Sequence, residues 1–279
     1  MLINLTKAEL CLSAGLDIPV RDVEAWVKYP KHRWIYNKLE LALALGIAAA
    51  PMGVPPTSYP VMVKPIINLH GMGAMAEQVD DAARHERALE QGAGRFWMTL
   101  FEGPHISLDI VLHQGRVMWY CAWQGYPTRP WSGAFDYWET RPDYVLPRLG
   151  LLDHLHDFTG VVNVELIDNK PIEAHLRMGD LHLFGSVQLF RQIGQALEGN
   201  PMDWPIPPLA AVPVFQPADA VQGDMKHLDL DTLCQCRLLY VDSLTSASNP
   251  MNFTRRALLV GRLDECLRSR QRLLTALEE

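Results

Sequence analysis

The chain has 279 residues, with 25 Lys and Arg against 32 Asp and Glu, which gives a formal net charge of −7. This acidic balance disfavours broad nucleic-acid binding, which needs positive charge against the phosphates. No apolar stretch reaches the roughly 20 residues that span a bilayer, so we expect no membrane segment. The first residues lack the pattern of a secretion signal and the cysteines are scattered, so we expect a cytoplasmic protein without a disulfide framework.

In chain order, residues 1–31 have weak periodicity and are interpreted as an N-terminal extension. Apolar residues at helical spacing predict helices over 32–46, 74–90, 146–157, 181–197 and 263–277. Runs of β-branched and aromatic residues between turn residues predict strands over 59–64, 97–101, 106–113, 116–123, 161–167, 171–177, 236–241 and 257–260. Six prolines within 201–217 predict a boundary or a rigid crossover. The whole pattern indicates an α+β fold in two lobes, with a small C-terminal α+β lobe.

The strand pair around Asn169 is the most informative part of the sequence. Alternation along the strands and a turn centred on Asn169 place Glu165 directly opposite Glu173, and Asn163 opposite His175. Directly opposed Cβ atoms lie about 4.5–5.5 Å apart, where like charges repel each other. A divalent cation between the two carboxylates would explain the pair, and a solvent-exposed sheet face is the alternative. Without a cation, we expect the repulsion to raise at least one carboxyl pKa.

A second candidate site follows the predicted strand that contains Lys64. Gly71 and Gly73 come shortly after this strand. Glycines allow the backbone to approach phosphates closely, and a lysine neutralises phosphate charge. The glycine spacing matches neither of the common phosphate-binding motifs, so a surface lysine before a loop is the alternative.

Taken together, these features resemble the ATP-grasp superfamily over residues 32–200. The matching features, in chain order, are Lys38 on a helix, the strand motif 59–65, the glycine loop, the strands around 101–109 and the carboxylate hairpin 160–177. The resemblance implies a two-lobed fold with a small C-terminal α+β lobe. Its segments would be an extension (1–31), a small lobe (32–97), a large lobe with a metal site (98–200) and a proline-rich crossover with the C-terminal lobe (201–279).

The resemblance also implies which residues bind ATP and Mg²⁺, with Mn²⁺ as a second suitable ion. The nucleotide-binding positions would be Lys38, Lys64, Gly71, Gly73, Met98, Thr99, Leu100 and Phe101. The metal-binding positions would be Glu165, Glu173 and His175. The catalytic residues would be Lys64 and Arg177, which offset charge on the transferred phosphate.

Three departures from the superfamily pattern are visible in the sequence. His175 stands where asparagine is usual, and His105 stands where glutamate is frequent. Members commonly begin with a separate domain, whereas only residues 1–31 precede the first motif here. We therefore expect a homo-oligomer, a partner chain or residues 201–279 to complete the substrate site. The alternative is that the substrate is handled differently.

The implied function is that of an ADP-forming ligase. It would activate a carboxylate as an acyl phosphate and transfer it to an amine or another nucleophile, forming a C–N bond. Both substrates would be small molecules or peptides. The alternative is a non-catalytic nucleotide-binding or structural subunit of a larger assembly.

Overall fold

The structure is a computed structural model that describes residues 6–69, 75–90, 92, 94–128, 135–217, 229–234, 236–240 and 253–278. Its α-helices are α1 (Lys7–Ala14), α2 (Asp22–Lys28), α3 (Lys38–Ala44), α4 (Ala82–Glu90), α5 (Gly150–Asp153), α6 (Val187–Leu197), α7 (Leu230–Leu233) and α8 (Leu263–Glu278). Its strands are β1 (Ala49–Pro51), β2 (Val61–Pro65), β3 (Glu77–Val79), β4 (Arg95–Thr99), β5 (His105–His113), β6 (Arg116–Pro127), β7 (Phe135–Thr140), β8 (Gly160–Ile167), β9 (Lys170–His175), β10 (Ala210–Pro217), β11 (Arg237–Tyr240) and β12 (Phe253–Gly261). Short 3-10 helices span Pro30–Tyr36 and Leu181–Phe184. None of the helices in the described ranges is long and apolar enough to cross a membrane.

The smaller of the two sheets has four antiparallel strands in the order β1-β4-β2-β3. One face carries Val61 and packs against Ala88 of helix α4. The opposite face carries Phe96 and packs against Ala42 of helix α3. Because Lys64 pairs with Phe96 across β2 and β4, it lies on the side of the sheet that faces α3.

The larger sheet has eight strands in the order β11-β12-β10-β7-β6-β5-β8-β9, and neighbouring strands are antiparallel. One face packs against α1 and α6, where Leu10 and Phe190 are fully buried. The other face packs against the first 3-10 helix and α5, where Ile35 and Leu151 are fully buried. Polar side chains on the central strands are therefore enclosed between two layers.

The segment before residue 32 packs into this core. Helix α1 begins with a capping box at Thr6, and Leu10 inside the helix is fully buried. Ala25 of α2 is also fully buried. The backbone N–H of Met178 donates to the carbonyl of Pro19 at 3.2 Å, which ties the segment to the chain just after β9.

The C-terminal part is α+β, as predicted, and its strands β10–β12 continue the larger sheet. Helix α8 packs on them through Leu273, which contacts the cluster around Val212. Strand β10 occupies the second part of the proline-rich segment 201–217, which is predicted to be a boundary or a rigid crossover, and residues 201–209 have no helix or strand. Pro213 is tolerated because β10 pairs with β7 only at Ala210 and Ala211 within the described residues, so the missing N–H is not needed there.

Other predicted elements are shorter in the structure. The helix predicted over 74–90 begins at Ala82, and strand β3 (Glu77–Val79) precedes it. The helix predicted over 146–157 is reduced to α5 (Gly150–Asp153), and Pro147 disfavours the helical conformation at Leu146. The sequence analysis does not predict a strand at the position of β7. The hairpin predicted over 106–123 is confirmed as β5 and β6.

Candidate functional site

The β8–β9 hairpin brings two carboxylates face to face. Asp168 and Asn169 have positive φ angles of 50° and 60°, which suit a tight turn between twisted strands. The strands pair so that Glu165 lies opposite Glu173, as the alternation predicts. The register shifts next to Glu165, which makes Ile172 an extra, bulged residue of β9. The turn and the bulge together set the register of the glutamate pair.

A polar patch extends from this pair across the neighbouring strand. Asn163 lies opposite His175, and strand β5 adds Ser107 beside Glu165 and Asp109 beside Asn163. The amide of Asn163 donates to the Ser107 hydroxyl at 3.0 Å. Asn163, His175, Ser107 and Asp109 are all buried. The patch is therefore an enclosed part of the large sheet, and the interpretation of a solvent-exposed face does not apply to it.

Helix α3 presents Lys38 to the glutamate pair. The helix begins at Lys38, later than predicted, because the Asn37 side chain caps it by accepting from the Glu40 N–H at 3.0 Å. Lys38 Nζ lies 2.7 Å from Glu173 Oε1, and the two side chains are only 6% and 13% exposed. Burial acts to raise the pKa of Glu173, but Lys38 and His175 outweigh it and hold that pKa far below its usual range.

Lys64 reaches the hairpin from the smaller sheet. Its Nζ donates to the carbonyl of Ile172 at 2.7 Å, and this carbonyl belongs to the bulged residue of β9. Burial lowers the pKa of Lys64 to about 8, and nearby Lys38 acts in the same direction. The two sheets thus meet at the glutamate pair. The predicted phosphate loop with Gly71 and Gly73 lies outside the described residues.

The N-terminal segment adds a carboxylate that the sequence analysis does not identify. Asp22, the first residue of α2, accepts from Arg177 Nε at 3.1 Å and lies 2.9 Å from His175 Nδ1. The other ring nitrogen of His175 lies 3.1 Å from Glu173 Oε1. Burial acts to lower the pKa of His175, but the two carboxylates outweigh it and raise that pKa. Both ring nitrogens of His175 therefore face a carboxylate, which favours the protonated form of the imidazole.

Glu165 has a different neighbour, His105. His105 Nε2 lies 3.3 Å from Glu165 Oε2, and its ring packs edge-on against Phe135 at 4.9 Å and Trp138 at 5.5 Å. Burial acts to raise the pKa of Glu165, but His105 outweighs it and the pKa is lowered. The expectation that repulsion raises a carboxyl pKa is therefore wrong, because Glu165 and Glu173 each have a basic neighbour that outweighs it.

Comparisons of sequence give no relative of this chain: no family model and no curated protein matches it. Solved structures do match it. The N5-carboxyaminoimidazole ribonucleotide synthetase of Thermus thermophilus aligns over 99% of this chain and 86% of its own, with 16% identity and a TM-score of 0.60. The carboxyaminoimidazole ribonucleotide synthase of Aspergillus clavatus, complexed with ATP, aligns over 88% and 74%, with 14% identity and a TM-score of 0.59. The L-amino acid ligase of Bacillus licheniformis aligns over 96% and 74%, with 14% identity and a TM-score of 0.55.

These solved structures are ATP-grasp enzymes. The chain has the ATP-grasp fold. The fold class expected from the sequence, α+β in two lobes with a C-terminal α+β part, is thereby confirmed.

The predicted hinge of the ATP-grasp fold lies at the end of β4. Met98 and Thr99 end this strand, and Leu100 and Phe101 follow it. Met98 is buried and the other three are half-buried. A groove of about 580 Å³ lies beside the hinge and is lined by Thr99, Phe101 and Lys170, among others. The Nζ atom of Lys170 lies 5.0 Å from the centre of the Phe101 ring.

The donor set around the glutamate pair fits Mg²⁺ in part. Mg²⁺ is commonly held by one or two carboxylates together with phosphates and water, and Glu165 and Glu173 can supply those two carboxylates. Within the described ranges, no group of three or more His, Cys, Asp and Glu side chains is placed to hold a metal alone. His175 does not fit as a further ligand in this arrangement, because both ring nitrogens face carboxylates and a metal needs a neutral imidazole.

Proposed function

We propose that this chain is an ATP-dependent ligase that joins a carboxylate to an amine. The observation that carries the proposal is the convergence of two lysines on one pair of carboxylates. Lys64 comes from the small sheet and Lys38 from α3, and both act on the Glu173 carboxylate. Arg177 follows the end of β9 by two residues and is linked to Glu173 through Asp22 and His175. This combination suits a triphosphate with a bound divalent ion better than a neutral ligand.

The net reaction would consume ATP, a carboxylate and an amine in its ammonium form, and would yield an amide, ADP, hydrogen phosphate and one proton. The carboxylate oxygen ends on the phosphate, and the amine nitrogen forms the new C–N bond. Mg²⁺, when bound, would offset charge on the terminal phosphates. Lys38 and Lys64 would hold the nucleotide phosphates, and Arg177 would hold the phosphate during its transfer. Catalysis of this kind consists mainly of positioning and electrostatic stabilisation.

The similar solved structures support this proposal through their fold and their names. One of them is named as an L-amino acid ligase, and another was determined as a complex with ATP. The identities of 14% mean that the substrates of those proteins are not transferred to this chain. The carboxylate donor is proposed here only as a class.

The test is a measurement of ADP and of the coupled product. The purified chain is incubated with ATP, Mg²⁺ and pooled carboxylic acids and amines, and the mixture is analysed by mass spectrometry. The proposal expects ADP together with an amide, and loss of both with Arg177→Gln. A matched control is Arg116→Gln, because Arg116 is an exposed residue at the start of β6. ADP without any coupled product would contradict the ligase assignment.

A second candidate is a nucleotide-binding subunit without catalysis, and one observation favours it. The three cations already have protein partners: Lys38 contacts Glu173, Lys64 contacts the Ile172 carbonyl and Arg177 contacts Asp22. ATP binding without turnover over the full substrate pool would support this candidate.

A further inference from the structure

Two cysteines lie side by side in the C-terminal part of the fold. Cys236 directly precedes β11, and Cys266 lies near the start of α8. Because Arg237 pairs with Val260, the residue before β11 comes next to Gly261, the last residue of β12. The chain then continues into α8, which packs back on the same strands. The fold thereby brings together two cysteines from separate elements.

Gly261 leaves room for the two cysteine side chains to meet. A Cβ atom on this glycine would lie 3.0 Å from Cys236 Cβ and 3.6 Å from Cys266 Sγ. Both side chains therefore converge on a point where β12 has no side chain of its own. The Cys266 thiol donates a hydrogen bond to the Cys236 sulfur. Two cysteines in such contact can form a disulfide with a small movement of their side chains.

The two thiols differ in exposure and in acidity. Cys236 is half-buried against the cluster around Val212, whereas Cys266 is fully buried inside it. Hydrogen bonds from Cys266 and Ser269 lower the pKa of the Cys236 thiol below its usual value, although burial acts against them. The same contact and burial raise the pKa of Cys266. Because the thiolate is the reactive form of cysteine, Cys236 is the thiol that reacts first.

An accessible, acidic thiol in contact with a second thiol is the arrangement found in redox-sensitive cysteine pairs. We propose that Cys236 and Cys266 form a modification site at which a hydroperoxide converts the two thiols into a disulfide. The inference goes beyond the proposed function and does not depend on it, because it uses no residue of the candidate site. Neighbouring cysteines can also bind a metal, but within the described part of the chain they belong to no group of three or more metal-ligating side chains.

The reaction has two steps, and hydrogen peroxide is the simplest oxidant for it. In the first step the Cys236 sulfur attacks the peroxide, so that an S–O bond forms and the O–O bond breaks. One oxygen stays as the sulfenic acid, and the other leaves as water with the proton that Cys236 released. In the second step the Cys266 sulfur displaces the hydroxyl group, which leaves as water with the Cys266 proton. The two sulfur atoms supply the two electrons that reduce the peroxide.

The test is peptide mapping of the full chain by mass spectrometry. The protein is reduced, freed of reductant and treated with a small excess of hydrogen peroxide. It is then unfolded, alkylated and digested with trypsin without further reduction. Cleavage at lysine and arginine gives peptide 227–237, which contains Cys234 and Cys236, and peptide 263–268, which contains Cys266. These two peptides should be found joined, with a loss of two hydrogen atoms, and dithiothreitol should separate them.

Two buried cysteines serve as internal controls in the same digest. Cys11 and Cys121 lie in the core, and burial raises the pKa of each thiol. Both should remain reduced at the peroxide concentration that joins the two peptides, because they are neither accessible nor ionised.

Variants identify which cysteine of peptide 227–237 reacts. Cys234→Ser is the matched control, because it leaves one cysteine in that peptide, and the link should form as in the wild type. Cys236→Ser should abolish the link. Cys266→Ala should stop the reaction at the sulfenic acid, so that dimedone labels Cys236 in this variant and leaves it largely unlabelled in the wild type.

Several results would overturn the inference, and the first of them needs no variant. They are the absence of a link between the two peptides in the peroxide-treated wild type, a link that persists in Cys236→Ser, and a link that is lost in Cys234→Ser. Oxidation of Cys11 and Cys121 as readily as Cys236 would also overturn it, because the pair would then have no special reactivity.

Discussion

Asp22 Oδ1 lies 2.9 Å from Nδ1 of His175, although 153 positions separate the two residues in the sequence. The same oxygen accepts from Arg177 Nε at 3.1 Å. One carboxylate on helix α2 therefore holds both the last residue of β9 and the arginine that follows it by two positions, and Asp22 itself is only 6% exposed. The N-terminal segment is in this way part of the candidate site.

The first prediction concerns the stability that this carboxylate provides. Asp22→Asn should lower the free energy of unfolding by about 3 kcal/mol, because it leaves the partly buried Arg177 and the buried His175 without their charged partner. Urea unfolding followed by circular dichroism measures the loss. Asp17→Asn is the control, because Asp17 is a fully exposed carboxylate in the same segment, and it should leave the free energy of unfolding unchanged. Equal effects of the two variants would show that Asp22 has no special role.

A second prediction concerns the pH dependence that His175 adds. Its pKa is raised in the folded protein, so its contribution is fully present below the unfolded value of about 6.5 and is lost as pH rises through the folded value. The stability advantage of the wild type over His175→Gln should therefore be larger at about pH 6 than at about pH 9. Urea unfolding of both proteins across this range measures the difference. An advantage that is constant or grows with pH would contradict a protonated imidazole.

The glutamate pair could be predicted from the sequence because its causes are local. Alternation fixes which face each residue of β8 and β9 occupies, and the turn at Asn169 fixes which residues meet. The bulge at Ile172 was not foreseen, although the register of Glu165 and Glu173 depends on it. In the structure the turn consists of Asp168 and Asn169, and the bulge then shifts β9 by one residue. A turn centred on Asn169 without a bulge predicts the same pairing of Glu165 with Glu173.

The contribution of Asp22 could not be predicted in the same way. A helix that begins with Asp has an ordinary acidic first turn, and nothing local distinguishes this residue from a surface carboxylate. Its role depends on packing between α2 and a strand that comes much later in the chain. The prolines predict the irregular segment 201–209 but not strand β10, which includes Pro213 and Pro217. They are tolerated because β7 pairs with only two residues of β10, Ala210 and Ala211, within the described ranges.

A third prediction tests how closely the loop that follows β9 approaches the large sheet. Gly179→Ala should destabilise the protein by about 1–3 kcal/mol, because the new Cβ would lie 2.5 Å from Asn163 Nδ2 and 2.6 Å from Asp109 Oδ1. Gly53→Ala is the matched control, because a Cβ there meets no atom within 4 Å. Thermal unfolding of both variants should show a lower melting temperature for Gly179→Ala only. An unchanged melting temperature of Gly179→Ala would mean that the loop lies farther from Asn163 and Asp109 than the structure shows.

A fourth prediction concerns the buried Lys64. Its pKa is lowered from 10.5 to about 8, so the cost of burying its charge is fully present below pH 8 and is relieved as pH rises toward 10.5. The stability of the wild type relative to Lys64→Met should therefore increase across this window. Urea unfolding of both proteins at the two ends of the window measures the change. A difference that stays constant with pH would place Lys64 in solvent.

The central claim is that Glu165, Glu173 and the surrounding cations bind ATP with a divalent ion. The most direct measurement is the dissociation constant of ATP, determined by calorimetry with and without Mg²⁺, for the wild type and for Glu165→Gln. Glu165 suits this purpose because its side chain is 33% exposed and its loss disturbs the fold less than that of Glu173. Glu198→Gln, at the exposed end of α6, is the control.

The account predicts that Mg²⁺ strengthens ATP binding to the wild type and to Glu198→Gln by at least about tenfold, because a carboxylate and the phosphates share the ion. It also predicts that Glu165→Gln loses most of this gain. Failure of the wild type to bind ATP, or a full Mg²⁺ gain in Glu165→Gln, would contradict the assignment of this site.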